Sequence, residues 1–144
     1  MSYPSTFTYT FTVPHSVIDE NGHVNNVAYV QWMQDAAIRH PEAVTEYKPA
    51  ENTTWYAREH RIEYLLPVFL GEEIEVRTWL SEIKRVRAHR RYEFLRKSDE
   101  KVVVRGETDW VYVHAKTGKP IAIPADVGKL FPVLPEIDSK QRFT

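Results

Sequence analysis

Asp19, Asn21, His23, Asn25 and Asn26 fall inside one stretch of eight residues, Asp19-Glu20-Asn21-Gly22-His23-Val24-Asn25-Asn26. Their side chains can accept, donate and carry protons, and the pattern that follows them predicts a helix beginning at Asn26. Backbone N–H groups and the positive end of the helix dipole point out of a helix N-terminus. A carbonyl oxygen or an anion can therefore be stabilised there, beside a carboxylate and an imidazole. Each residue also has a simpler reading. An Asp in a polar loop commonly serves a turn, the i, i+2, i+4 relation of Asp19, Asn21 and His23 is what a polar turn produces, and Asn25 or Asn26 can cap the helix.

The flanking elements decide whether the octet is a site. Thr6 to Val13 alternates strictly, with Phe7, Tyr9, Phe11 and Val13 on one face and threonines on the other, as a half-buried strand does. Pro14 to Val24 carries Pro, Asn and Gly and reads as a loop. From Asn26 the period changes: Tyr29, Trp32, Met33, Ala36 and Ala37 recur at helical spacing, and Pro41 sets the limit of a helix over 26–40. After a polar segment, four β segments are predicted over Thr54 to Leu66, Glu72 to Ser81, Val86 to Lys97 and Val102 to His114, separated by breaks short enough for hairpins. Asp126 is placed to cap a short turn through Leu130, and a loose tail is expected after Pro132. One strand, one long apolar-faced helix and four further antiparallel strands make an α+β fold, with the helix buried against the concave side of a curled sheet.

Composition bounds the function. With 144 residues, 42% of them hydrophobic and 27% charged, the chain is expected to form a single domain with one core. Lys plus Arg number 19 against 20 for Asp plus Glu, so no general basic field attracts nucleic acid or an anionic membrane. The absence of cysteine excludes a disulfide framework, a thiolate nucleophile and every cysteine-based metal site. The histidines show no ligand spacing, so no metal is expected, and no cofactor is called for. Met1 to Thr12 has neither the basic head nor the apolar run of a secretory signal, and no apolar stretch reaches the roughly 20 residues of a membrane span, so a cytoplasmic protein is expected.

The order of strand, D-x-x-G-x-V loop, helix with Tyr29 and Trp32, and four strands ending in Thr117-Gly118-Lys119-Pro120-Ile121-Ala122-Ile123-Pro124 resembles the hotdog-fold thioesterases, and most nearly their 4-hydroxybenzoyl-CoA thioesterase branch. The similarity runs from about Phe7 to Leu130. It implies a five-stranded curled sheet wrapped around one central helix, a core over about 6–131, and hydrolysis of an acyl-CoA or acyl-acyl-carrier-protein thioester by a homodimer or homotetramer. In that branch the loop Asp is nucleophile or general base, and a backbone N–H seven residues later polarises the thioester carbonyl; the matching groups are Asp19 and the amide of Asn26. The octet is also similar to the D-x-N-x-H-V-N-N segment of plant acyl-carrier-protein thioesterases, which implies catalytic roles for Asp19, Asn21 and His23. Those enzymes add a Glu on a later strand, whose equivalent place falls near Pro67. The helix acid of many bacterial members is Asp35 here, one methylene shorter than Glu, and it lies opposite the apolar stripe.

Beyond the octet, Tyr29, Trp32 and Met33 form a stripe that packs the core and, in this fold, can border an acyl chain. Arg85, Arg87, Arg90, Arg91, Arg96 and Lys97 make a dense basic stretch. It reads either as a solvated strand face balanced by Glu82 and Glu93 or as a docking patch for coenzyme A or phosphopantetheine phosphates, with Arg90 and Arg91 as the candidate contacts. Two rivals to hydrolysis remain open: an acyl-thioester hydratase or dehydratase on the same fold, and a non-catalytic binder of acyl-CoA or another hydrophobic ligand.

Overall fold

The computed structural model describes residues 3–135. Strand β1 (Phe7–Thr12) leads through a 3₁₀ turn (His15–Val17) to helix α1 (Asn26–Ala43), followed by β2 (Thr53–Tyr64), β3 (Glu73–Lys84), β4 (Arg87–Arg96), β5 (Lys101–His114) and the short helix α2 (Ala125–Leu130). The strands form one five-stranded sheet in the order β1-β3-β4-β5-β2, every neighbouring pair antiparallel. With one long helix against a curled antiparallel sheet, the chain has the expected α+β hotdog architecture.

Curvature has identifiable causes. Register shifts place an extra residue at Arg58 in β2, Ser81 in β3 and Val103 in β5, and each such bulge bends its strand and deepens the local twist. The bulge at Ser81 also corrects one expectation. It absorbs the residue at which alternation fails, so β3 continues to Lys84 and a two-residue turn, Arg85 and Val86, closes the hairpin to β4.

The helix forms for reasons visible in its residues. Asn25 is the N-cap: its side chain accepts from the Ala28 N–H at 2.9 Å and donates to the Val17 carbonyl at 2.9 Å. Ala28, Tyr29, Met33, Ala36 and His40 recur at helical spacing and are buried against the sheet. The helix does not stop at Pro41 but includes it and runs to Ala43. Lacking an N–H, Pro41 leaves the Ala37 carbonyl without its helical donor, and the helix ends two residues later, where the Val44 N–H closes the turn onto the Pro41 carbonyl.

Met33 is the centre of this packing. It is fully buried with Ile74, Val76, Phe94 and Val104, and it sits on Gly106 of β5. A Cβ at that position would come within 2.7 Å of the Met33 sulfur, so the glycine lets the helix and sheet approach. A second cluster, Leu80, Ala88, Val127, Leu130 and Phe131, joins α2 to the far end of the sheet. Asp126 lies in the first turn of α2, where its charge complements the dipole, but it is not the cap, which is Pro124. The segment after Pro132 is tied down at first, with the Leu134 N–H on the Leu80 carbonyl; the rest of the expected loose tail lies outside the described residues.

Candidate active site

The octet folds into a tight reverse loop rather than an open coil. Ile18 and Val24 bridge antiparallel, the Asp19 N–H donates to the His23 carbonyl at 3.0 Å, and Gly22 turns the chain at φ +81°, a conformation that favours glycine. The Val24 N–H then bonds the Val68 carbonyl at 2.8 Å and the Asn25 N–H the Val17 carbonyl at 2.9 Å. The loop is thus fixed from both sides before α1 begins.

Asp19 is partly exposed, and its Oδ1 accepts from the backbone N–H of Asn21 at 2.9 Å. Asn21 therefore orients the carboxylate through its backbone, while its own side chain is exposed. The His23 Nδ1 lies 3.2 Å from the Val24 carbonyl. A carbonyl only accepts, so the proton of that hydrogen bond is on Nδ1 and the lone pair is on Nε2, which can take a proton. Phe69 meets the imidazole edge-on with 6.4 Å between ring centroids.

At the start of α1 the Ala28 N–H is consumed by the cap, whereas the Asn26 N–H has no acceptor among the described residues. A first-turn N–H without an intrahelical partner is open to a ligand oxygen. His23, Asn26 and Tyr29 share a cavity of about 200 Å³ with Tyr64 and the 65–68 segment, and the Tyr64 hydroxyl donates to the Asn26 carbonyl at 3.0 Å. Burial pushes the Tyr29 phenol well above its ordinary pKa, so it remains a neutral wall. The Pro67 region contributes backbone and apolar surface to this cavity.

The other expected residues are dispersed. Trp32 packs on Phe11, Tyr29 and Phe94, with ring centroids 4.6, 5.1 and 6.3 Å away, and Met33 is in the core. The Asp35 carboxylate accepts from Gln31 one helical turn earlier at 3.0 Å. Arg90 and Arg91 are neighbours in sequence on a strand, so they project to opposite faces of the sheet. Arg91 pairs with Glu107 at 3.1 Å among other cross-strand ion pairs, including Arg87 with Asp109. Arg90 is buried and lines a much larger cavity of about 1000 Å³ between the C-terminal half of α1, β2 and α2. The basic stretch is therefore two environments rather than one patch. The charge balance expected from Glu82 and Glu93 also involves Glu75, Glu107 and Asp109, the partners that strand register supplies. Sequence reading missed this larger cavity, because its walls come from segments far apart in the chain.

The fold is shared with known proteins. A 1,4-dihydroxy-2-naphthoyl-CoA thioesterase from Synechocystis is similar at 17% identity and a TM-score of 0.79, over 88% of this chain and 95% of that one. A hypothetical protein from Staphylococcus aureus solved in complex with CoA is similar at 22% identity and 0.80, over 96% and 90%. The 12:0-ACP thioesterase from Umbellularia californica is similar at 15% identity and 0.80, over 94% of this chain and 54% of that one. No curated protein sequence matches the chain. The family model of the thioesterase-like superfamily matches residues 13–131, from just after β1 through the octet, α1 and strands β2 to β5 to the end of α2. The chain belongs to the thioesterase-like superfamily, and its enzyme class is that of the family, a thioester hydrolase.

Proposed function

We propose that this single hotdog domain is a cytoplasmic acyl thioesterase that cleaves acyl esters of coenzyme A or acyl carrier protein to free acid and thiol. The observation that carries the reading is the open Asn26 N–H at the head of a buried helix, in one small cavity with His23 and directly after the loop that orients Asp19. The thioester carbonyl oxygen is placed on the Asn26 N–H. Because Asp19 does not line the cavity, it acts through a water: it takes the proton as the water oxygen bonds to the carbonyl carbon, and the carbonyl electrons move onto the held oxygen. Collapse re-forms the carbonyl and expels the thiolate, which receives the proton from Asp19. His23, with its lone pair on Nε2, relays protons between loop and solvent, and the Asn21 backbone holds Asp19 in place. The CoA complex and the acyl-carrier-protein thioesterase among the structural neighbours are consistent with either carrier. The test is free-thiol release from a panel of acyl-CoA and acyl-carrier-protein esters. Asp19→Asn is expected to lower kcat by about 10² to 10⁴; an unchanged rate, or wild-type release no faster than buffer, refutes the assignment.

We further propose that the working unit is at least a dimer paired along β2. That strand is a sheet edge of 12 residues, and an edge of that length presents an unpaired row of backbone donors and acceptors. Tyr56 and Tyr64 on it are about half exposed, and Val27 and Ile38, three helical turns apart on α1, are 76% and 55% exposed. Along a single chain the octet and the large cavity lie at opposite ends of α1, about 20 Å apart at the rise of a helix. Antiparallel pairing of two β2 edges reverses the second helix, so the octet of one copy approaches the large cavity of the other.

A further inference from the structure

Arg90 stands apart from the other arginines of β3, β4 and β5. Arg77, Arg87, Arg91, Arg96 and Arg105 each have a carboxylate within ion-pair distance, at 2.6, 3.4, 3.1, 2.8 and 3.5 Å. Arg90 is only 5% exposed, and its hydrogen-bond partners among the described residues are two neutral groups. Its Nη1 donates to His40 Nδ1 at 3.0 Å and to Thr78 Oγ1 at 3.1 Å. Arginine has no acceptor, so His40 must accept on Nδ1 and carry its proton on Nε2. Burial and the adjacent guanidinium lower the His40 pKa to about 3, which keeps it neutral. Burial lowers Arg90 itself only to about 10, so it remains a cation at neutral pH.

The network holds this cation in place. The Thr78 hydroxyl donates to the Arg91 carbonyl at 2.9 Å and so offers Arg90 a lone pair. His40 is stacked on Phe7 at 5.3 Å and meets Phe131 edge-on at 5.0 Å. Nη1 is thereby committed, while Nε and Nη2 have no partner among the described residues. The guanidinium lines the large cavity, whose other walls include Trp55, Ala88, Trp110, Tyr112 and Phe131. A buried charge without a counter-charge is costly, and a planar fork with free N–H groups matches a carboxylate.

We propose that Arg90 binds a carboxylate at the far end of the acyl group, so that the preferred substrates are thioesters of dicarboxylic acids, with their apolar middle against the aromatic walls. For the reaction, but not for the binding site, this rests on the hydrolase reading and on the β2 pairing that brings the octet of one copy to the large cavity of the other. A purely structural Arg90, clamping β3 and β4 to the end of α1, would treat neutral and carboxylated acyl groups alike.

The wild-type protein is assayed with adipyl-CoA and hexanoyl-CoA, which have equal chain length and differ at the terminal group. The expected kcat/KM ratio favours adipyl-CoA by about 10²-fold, and Arg90→Gln lowers that ratio at least about ten-fold, with Arg90→Lys between the two. Binding of free adipate and hexanoate is measured in parallel by calorimetry. Adipate-selective binding that is lost in Arg90→Gln supports the site even if neither ester is hydrolysed, in which case only the hydrolase reading fails. A wild-type preference for hexanoyl-CoA or equal rates for the two overturns the proposal. With no turnover, equal or absent binding of the two acids overturns it too. The wild-type comparisons decide the matter even if the variants do not fold.

Discussion

His40 shows how one residue acquires its properties from its surroundings. On the sequence it is a histidine near the end of a helix, where a protonated imidazole would favour the dipole. In the fold it is buried between Phe7, Phe131 and the Arg90 guanidinium, and its charge is disfavoured first by burial and then by the guanidinium. Its pKa of about 3 in the folded protein is below the ordinary 6.5, so the unfolded chain binds the extra proton first. Stability therefore rises with pH between about 3 and 6.5 and levels off above that range. Chemical denaturation at pH 7 and pH 5 is expected to show wild type losing about 1–2 kcal/mol more than His40→Gln, which retains an acceptor for Arg90 but cannot titrate. Equal losses would place the acid sensitivity elsewhere. Asp19 is legible in the sequence as the acid of a motif, and the bond its carboxylate accepts from the Asn21 N–H is local, but the left-handed turn at Gly22 is what brings the His23 carbonyl back to the Asp19 N–H.

At the level of elements, α1 and the loop before it behave as one unit. Asn25 joins them: it caps the Ala28 N–H, bonds the Val17 carbonyl with its side chain and pairs its backbone with the same carbonyl. Replacing Asn25 by Ala removes both side-chain bonds, with an expected cost of about 1–2 kcal/mol in thermal or denaturant unfolding. Since the Asn26 N–H follows directly, kcat is expected to fall further than stability at the assay temperature can explain. A stability loss with unchanged turnover would show that the loop holds its shape without the cap. Helix and strands were readable because their apolar periods are long and regular. Their ends were less so: the β3 bulge at Ser81 and the inclusion of Pro41 in α1 are settled by pairing and packing with partners distant in sequence.

For the whole molecule, the long free edge of β2 and the exposed apolar residues of α1 bear on assembly. Val27 and Ile38 are not needed by the single chain, being 76% and 55% exposed, so Val27→Glu combined with Ile38→Glu should leave folding intact. Sedimentation is expected to show wild type as a dimer or larger and the double variant shifted toward monomer, with activity lost in parallel. A double variant of unchanged mass would move the interface away from this face. The concave and convex faces of the sheet divide the basic stretch in the same way that they divide core from solvent. Strand alternation alone separates Arg90 from Arg91, but which of the two faces inward depends on where the helix lies.

Alternation, helical spacing and the turn chemistry of Pro, Gly and Asn are local properties. The sequence by itself therefore determined the order of elements, the α+β class and the position of the octet at a helix N-terminus. Only the tertiary structure decided what surrounds each side chain. It brings His23, Asn26 and Tyr29 to one cavity with Tyr64 and Val68, and it leaves Asp19, partly exposed, out of that cavity's walls. It also takes Arg90 out of solvent and sets it beside His40, 50 residues away in the chain, in a larger cavity. Burial and long-range pairing arise between segments, and no window of sequence contains them.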